Sequence, residues 1–148
     1  VNAFGDVLDP LSHHILAGAR ASRKGCQLAN SSKWMKRGVT RKKFGAITPS
    51  DSHGSNTTLG VVATNANFTK KELCQVAQIA HSGLARIISP LHTTFDGDLI
   101  IALSYGKKRA DVNTVGLLGE ATLIESVRRA ITKAKGFGIL PAYQDIVA

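Results

Sequence analysis

Cysteine is almost missing from this chain of 148 residues. Cys26 and Cys74 are the only two, which excludes a disulfide framework, and neither stands in a C-x-x-C pair of the kind that binds zinc or exchanges thiols. Long apolar runs are missing as well. No stretch approaches the roughly 18 to 20 apolar residues that a bilayer span requires, and Val1 to Pro10 lacks the basic start, apolar centre and small-residue cleavage site of a secretory signal. The expectation is no membrane association and a cytoplasmic location. Aromatic residues make up only 5%, few for a surface that stacks nucleic-acid bases. Acidic residues are absent between Arg20 and Lys43, where Arg20, Arg23, Lys24, Lys33, Lys36, Arg37, Arg41, Lys42 and Lys43 lie. The other ten basic residues are matched by ten acidic ones, so the formal charge of +9 resides in that segment alone. It also holds Gly25, Asn30, Ser31, Ser32 and Gly38 without a sustained period, and reads as a long solvated loop at 20–43.

What is present is enough for one domain: 43% hydrophobic and 20% charged residues are globular proportions at this length. The chain starts on Val1 rather than Met, directly in an apolar stretch, as expected of a fragment or a processed subunit. Val1 to Leu8 reads as a strand ending in a turn at Asp9-Pro10, and Ile15 to Gly18 as a second short apolar piece. A polar stretch from Thr48 to Asn56 abuts Thr57 to Thr64, which has strand character. Thr69-Lys70-Lys71-Glu72 is a capping box, followed by Leu73, Val76, Ala77, Ala80, Leu84, Ile87 and Ile88 at helical spacing until Ser89-Pro90. Leu99 to Ser104 predicts a short strand and Tyr105-Gly106-Lys107-Lys108 a turn. A second helix is expected from Val115 to about Lys135, with Gly136 as its cap. Cys74, beside the first apolar helix face, is expected to be a buried thiol. The order after Thr57 is therefore strand, helix, strand, helix.

Three motifs carry the chemistry: Val1-Asn2-Ala3-Phe4-Gly5-Asp6-Val7, the run Asn56-Thr57-Thr58-Leu59-Gly60-Val61-Val62-Ala63-Thr64-Asn65-Ala66, and Asp96-Gly97-Asp98 within His92 to Asp98. On residue type alone, Thr57 is a β-branched strand starter or a nucleophile. Asp96 and Asp98, one residue apart, would point the same way in extended backbone, as a paired site, a metal site or a solvated turn. Asn2 is a turn residue or an amide donor. Two carboxylates alone are a poor metal site. His13 and His14, adjacent and so on opposite sides of extended backbone, are expected at the surface rather than on a metal. His81, His92 and Cys26 have no evident partners.

Taken together, the three motifs resemble the self-cleaving aminopeptidase family that includes the L-aminopeptidase/D-esterase, the β-peptidyl aminopeptidases and the endo-type 6-aminohexanoate-oligomer (nylon oligomer) hydrolase. The resemblance covers nearly the whole chain, least well the basic loop, and corresponds to the C-terminal part of a precursor. It implies an α/β fold, half of a four-layer αββα sandwich with helices outside two central sheets. It implies cleavage between Asn56 and Thr57, so that residues 1–56 end the large subunit and 57–148 form a small subunit beginning with the nucleophile. Asn2 would then be the oxyanion donor, and Asp96 with Asp98 would orient the nucleophile and its amine. The aminopeptidase members carry Ser and Glu at these two positions, so the Asp pair looks more like the nylon oligomer hydrolase. The family's Tyr and Lys contributors have no match here.

The expected activity is hydrolysis of amide bonds in peptides, amino-acid amides or 6-aminohexanoate oligomers, with no cofactor and no metal. A free N-terminal Thr carries its own base, since an α-amine has a reference pKa of about 8. Expected partners are the N-terminal part of the same precursor and further copies, as a tetramer of processed heterodimers. Two rivals are a basic nucleic-acid-binding module built on Arg20 to Lys43, marked by salt-sensitive RNA binding without self-cleavage, and a relative that keeps the fold without cutting itself.

Overall fold

A computed structural model describes residues 2–22, 25–38, 56–138 and 141–147. Its centre is a strand-helix-strand-helix unit. Strand β3 (Leu59–Ala66) runs parallel to β5 (Leu99–Lys108), with Leu59 opposite Leu99 and Val62 opposite Ala102, and helix α2 (Lys70–Ile87) makes the crossover between them. Parallel neighbours need such a crossover, because a tight turn cannot bring the chain back to the same end of the sheet. The capping box starts α2 as its residues require: Glu72 N–H donates to the Thr69 hydroxyl at 3.4 Å and Thr69 N–H to the Glu72 carboxylate at 2.7 Å. Helix α3 (Val112–Thr132) begins at Asp111, whose carboxylate accepts from Thr114 N–H at 2.8 Å. One sheet face and the two helices enclose Val62, Val76, Ala80, Leu84, Ile87, Ile100, Leu123 and Val127. Burial of each large aliphatic side chain there stabilises the fold by about 1.5 to 3 kcal/mol. The alternate residues Leu59, Val61, Leu99, Ile101, Leu103 and Tyr105 face outward, and all are exposed.

The second sheet is small and antiparallel, in the order β2-β1-β4, from β1 (Asp6–Leu8), β2 (Ile15–Ala17) and β4 (Ile88–Ser89). Because β4 follows directly from α2, it ties this sheet to the core: Ile88 lies opposite Val7, and both are buried. Asp6, 2% exposed, anchors the next element. Its carboxylate accepts from Ser31 N–H at 2.6 Å and from the Ser31 hydroxyl at 2.8 Å, which fixes the start of the short helix α1 (Ser31–Lys36). Burial raises the Asp6 carboxyl above its ordinary range, while bonds from Ser31 and Ala19 lower it. Asp6→Ala is expected to destabilise the protein by about 2 to 4 kcal/mol, since it strands buried donors. Chemical denaturation measures this, and a change under about 0.5 kcal/mol, the usual scale of surface substitutions, would show the anchor to be dispensable. A short C-terminal helix, α4 (Tyr143–Val147), completes the elements.

Several expectations are corrected. The basic segment is not loop throughout: Asn30 caps α1 by accepting from Lys33 N–H, and a bridge joins Arg20 to Leu28. A polar composition hides a helix whose cause is a distant buried aspartate. Arg23, Lys24, Arg41, Lys42, Lys43 and the stretch from Thr48 to Ser55 lie outside the described residues. Tyr105 to Lys108 is not a turn but the end of β5, because Gly106 passes so close to the Asn65 backbone that a Cβ would lie 1.7 Å from its carbonyl oxygen. Helix α3 starts three residues earlier than Val115 and stops at Thr132, where Lys133 rather than Gly136 is the cap. Cys74 is exposed rather than buried; it lies roughly 200° around α2 from Val76, on the face away from the core. The α/β class holds: the described residues form a mixed α/β arrangement of helices and two small sheets. No helix among them is long and apolar enough to cross a membrane.

Candidate active site

Residues 56 and 57 lie just before β3, where the chain enters the parallel pair from the stretch preceding it. Backbone bridges draw two remote segments to this point: Asn2 pairs antiparallel with Thr57, and Asn56 pairs in parallel with Asp96. Thr57 N–H donates to the Asn2 carbonyl at 3.1 Å, and Leu99 N–H to the Thr58 carbonyl at 2.9 Å. The three motifs, far apart in the chain, thus meet around one peptide bond. The carbonyl oxygen of that bond, Asn56 O, accepts from two groups, the Thr57 hydroxyl at 2.7 Å and Gly97 N–H at 3.2 Å. Gly97 faces the hydroxyl, since a Cβ there would sit 3.7 Å from Thr57 Oγ1. Thr57 is partly buried and Asn2 exposed, and Asn2 is fixed beside the site by its backbone.

Each carboxylate of the Asp96-Gly97-Asp98 motif is gripped by one oxygen. Asp96 Oδ2 accepts from Phe4 N–H at 2.8 Å, and Asp98 Oδ2 from His92 N–H at 2.9 Å. The other oxygens, Asp96 Oδ1 and Asp98 Oδ1, are buried without a hydrogen-bond partner, as is the Thr58 hydroxyl. The Phe4 and Phe95 rings meet each other with their centroids 5.3 Å apart. Buried unpartnered polar atoms are unfavourable for folding. His13 and His14 are exposed, and no group of three or more metal-ligating side chains occurs among the described residues.

Sequence reasoning missed two residues. The His81 ring, from α2, meets the His92 ring edge-on at a centroid distance of 4.5 Å, and His92 Nδ1 lies 3.6 Å from Asp98 Oδ2. The pair is 11 residues apart in the chain, and no local period links a helix position to a turn position. Burial first, and then the neighbouring His92, lower the His81 pKa below 6.5, with Asp98 acting in the opposite sense. A base whose folded pKa is depressed stabilises the fold above its unfolded value and loses that contribution as pH falls towards the folded one. Stability should therefore decline on acidification below pH 6.5, and His81→Gln should flatten that decline. Denaturation midpoints at several pH values test this, and identical slopes for the two proteins would exclude His81 as the source.

A mixed α/β framework thus brings Asn2, Thr57 and the backbone of Asp96 and Gly97 to one peptide bond. Residues 15–142 match the description of peptidase family S58, and the chain belongs to that family. It is 34% identical over 103 residues to an uncharacterized aminopeptidase of Mycobacterium leprae, covering 60% of this chain and 28% of the relative. It is 31% identical over 106 residues to one of Mycobacterium tuberculosis, covering 62% and 31%. Over 64 residues it is 34% identical to a 6-aminohexanoate-oligomer endohydrolase of Agromyces, covering 43% and 18%. The match thus spans less than a third of the length of each relative.

Proposed function

We propose that this chain is the nucleophile-bearing part of a self-processing amide hydrolase, with Thr57 as the nucleophile. The observation that carries the reading is the double contact on Asn56 O, by the Thr57 hydroxyl at 2.7 Å and by Gly97 N–H at 3.2 Å. In the uncut chain the Thr57 Oγ1–C bond forms at the Asn56 carbonyl carbon, and the C–N bond to Thr57 breaks. The hydroxyl proton ends on the departing nitrogen, leaving an ester. Gly97 N–H stabilises the negative oxygen of the tetrahedral intermediate, the kind of donor whose loss costs roughly 10²- to 10³-fold in rate. Water then hydrolyses the ester, and Thr57 acquires a free α-amine that acts as its own base in later turnovers.

In substrate turnover the same hydroxyl attacks the carbonyl of a peptide or amino-acid amide, or of an oligomer of 6-aminohexanoate. Asn2, held beside Thr57, contributes a side-chain amide to the oxyanion. Asp96 and Asp98 orient the nucleophile and its amine with their unpartnered oxygens. The scheme uses neither cofactor nor metal. Residues 1–56 and 57–148 would become the end of a large subunit and a small subunit. An N-terminal part of the same precursor and further copies, as a tetramer, complete the enzyme; the outward apolar row from Leu59 to Tyr105 supports a covering layer there. Names among the relatives, aminopeptidase and 6-aminohexanoate-oligomer endohydrolase, support this substrate class. The direct test is the intact mass of the purified full-length product: two fragments meeting at Asn56 and Thr57 are expected, and a single uncut, inactive chain would overturn the proposal.

A further inference from the structure

We infer that His92 is a positioning residue that holds Asp98 in its working orientation, with His81 backing its ring; the inference rests on the hydrolytic reading above. The Asp98 side chain is only 1% exposed, and its two polar contacts, the 2.9 Å bond from His92 N–H and the 3.6 Å approach of His92 Nδ1, both fall on Oδ2. The ring contact is at ion-pair distance rather than hydrogen-bond distance. One residue therefore approaches this oxygen with two groups, and the other oxygen, Oδ1, is buried and left unpartnered.

His92 is itself constrained. Its backbone lies at φ 57, a left-handed conformation that side-chain-bearing residues adopt at a cost. Its ring rests edge-on against His81 at an interplanar angle of 75°. His81 Nε2 is buried without a hydrogen-bond partner, and burial favours the neutral form of this ring. A strained backbone, an unpartnered imidazole nitrogen and an unpartnered carboxylate oxygen thus sit in one cluster. Apolar residues of the same volume at positions 81 and 98 would avoid the two unpartnered polar atoms. The cluster is better explained by orientation of Asp98 than by packing, because small misplacements of a reacting group are expensive in rate while leaving the fold intact.

Two substitutions at His92 separate the roles of ring and backbone. Glycine adopts the left-handed conformation freely and removes the ring, whereas asparagine also tolerates that conformation and places an amide near the position of Nδ1. In the full-length product, His92→Gly is expected to lower kcat on the order of 10- to 100-fold with KM changed less than about twofold. His92→Asn is expected to recover kcat to within about threefold of wild type. Equal activity of wild type and His92→Gly, or equal losses in the Gly and Asn variants, overturns the positioning role while leaving the hydrolase reading in force. A wild type that neither cuts itself nor hydrolyses amides overturns both. Should His92→Gly fail to fold, ring nitrogen NMR decides: the His92 Nδ1 signal is expected to move on Asp98→Asn, and an unmoved signal overturns the inference.

Discussion

Thr57→Ala is expected to leave the full-length product as one chain and to lower amide hydrolysis by roughly 10⁴-fold or more, the scale on which a lost nucleophile acts. The substitution removes the hydroxyl that lies 2.7 Å from Asn56 O. It keeps the backbone bond from Thr57 N–H to Asn2 and the Gly97 bond to Asn56 O, so the junction retains its frame. Thr57→Ser retains the hydroxyl and should still be cut at the same bond. Intact mass and a chromogenic amide assay on the three proteins give the readout. Processing of the Ala variant between residues 56 and 57 would show that another group attacks, and equal hydrolysis by wild type and Ala variant would remove Thr57 from turnover.

Asp98→Asn and Asp96→Asn are each expected to lower turnover by roughly 10²- to 10⁴-fold, the usual weight of a positioned acid or base, while changing stability by less than about 1 kcal/mol. Asparagine is nearly isosteric and can present its carbonyl oxygen to the backbone donor, His92 N–H at position 98 or Phe4 N–H at position 96. Its amide then takes the place of the unpartnered Oδ1, so the hydrogen bond from the backbone donor is kept at each position. On the proposed scheme the reaction loses the acceptor that orients the amine and hydroxyl of Thr57. Denaturation curves and steady-state kinetics separate the two effects. A loss of stability that tracks the loss of turnover would make the motif a structural turn.

Local pattern alone determined the backbone of the second half. The Thr69 to Glu72 box, the helical spacing from Leu73 to Ile87 and the apolar run at Leu99 specify strand, helix, strand and helix, because caps and periodicity act over a few residues. The family resemblance also lay in the sequence, in three short motifs. Only tertiary structure decided the rest. Ser31 to Lys36 is helical because Asp6, 25 residues earlier, receives Ser31, and β5 runs on through Gly106 because Asn65 leaves no room for a side chain there. Cys74 faces outward because the docking face of α2 is set by what packs on it. His81, His92 and Asp98 became one cluster only when α2 and the segment before β5 came together in the fold. Periodicity reports which way a side chain faces along its own element; which distant side chain it meets depends on how the elements cross, and that is settled by packing of the whole chain.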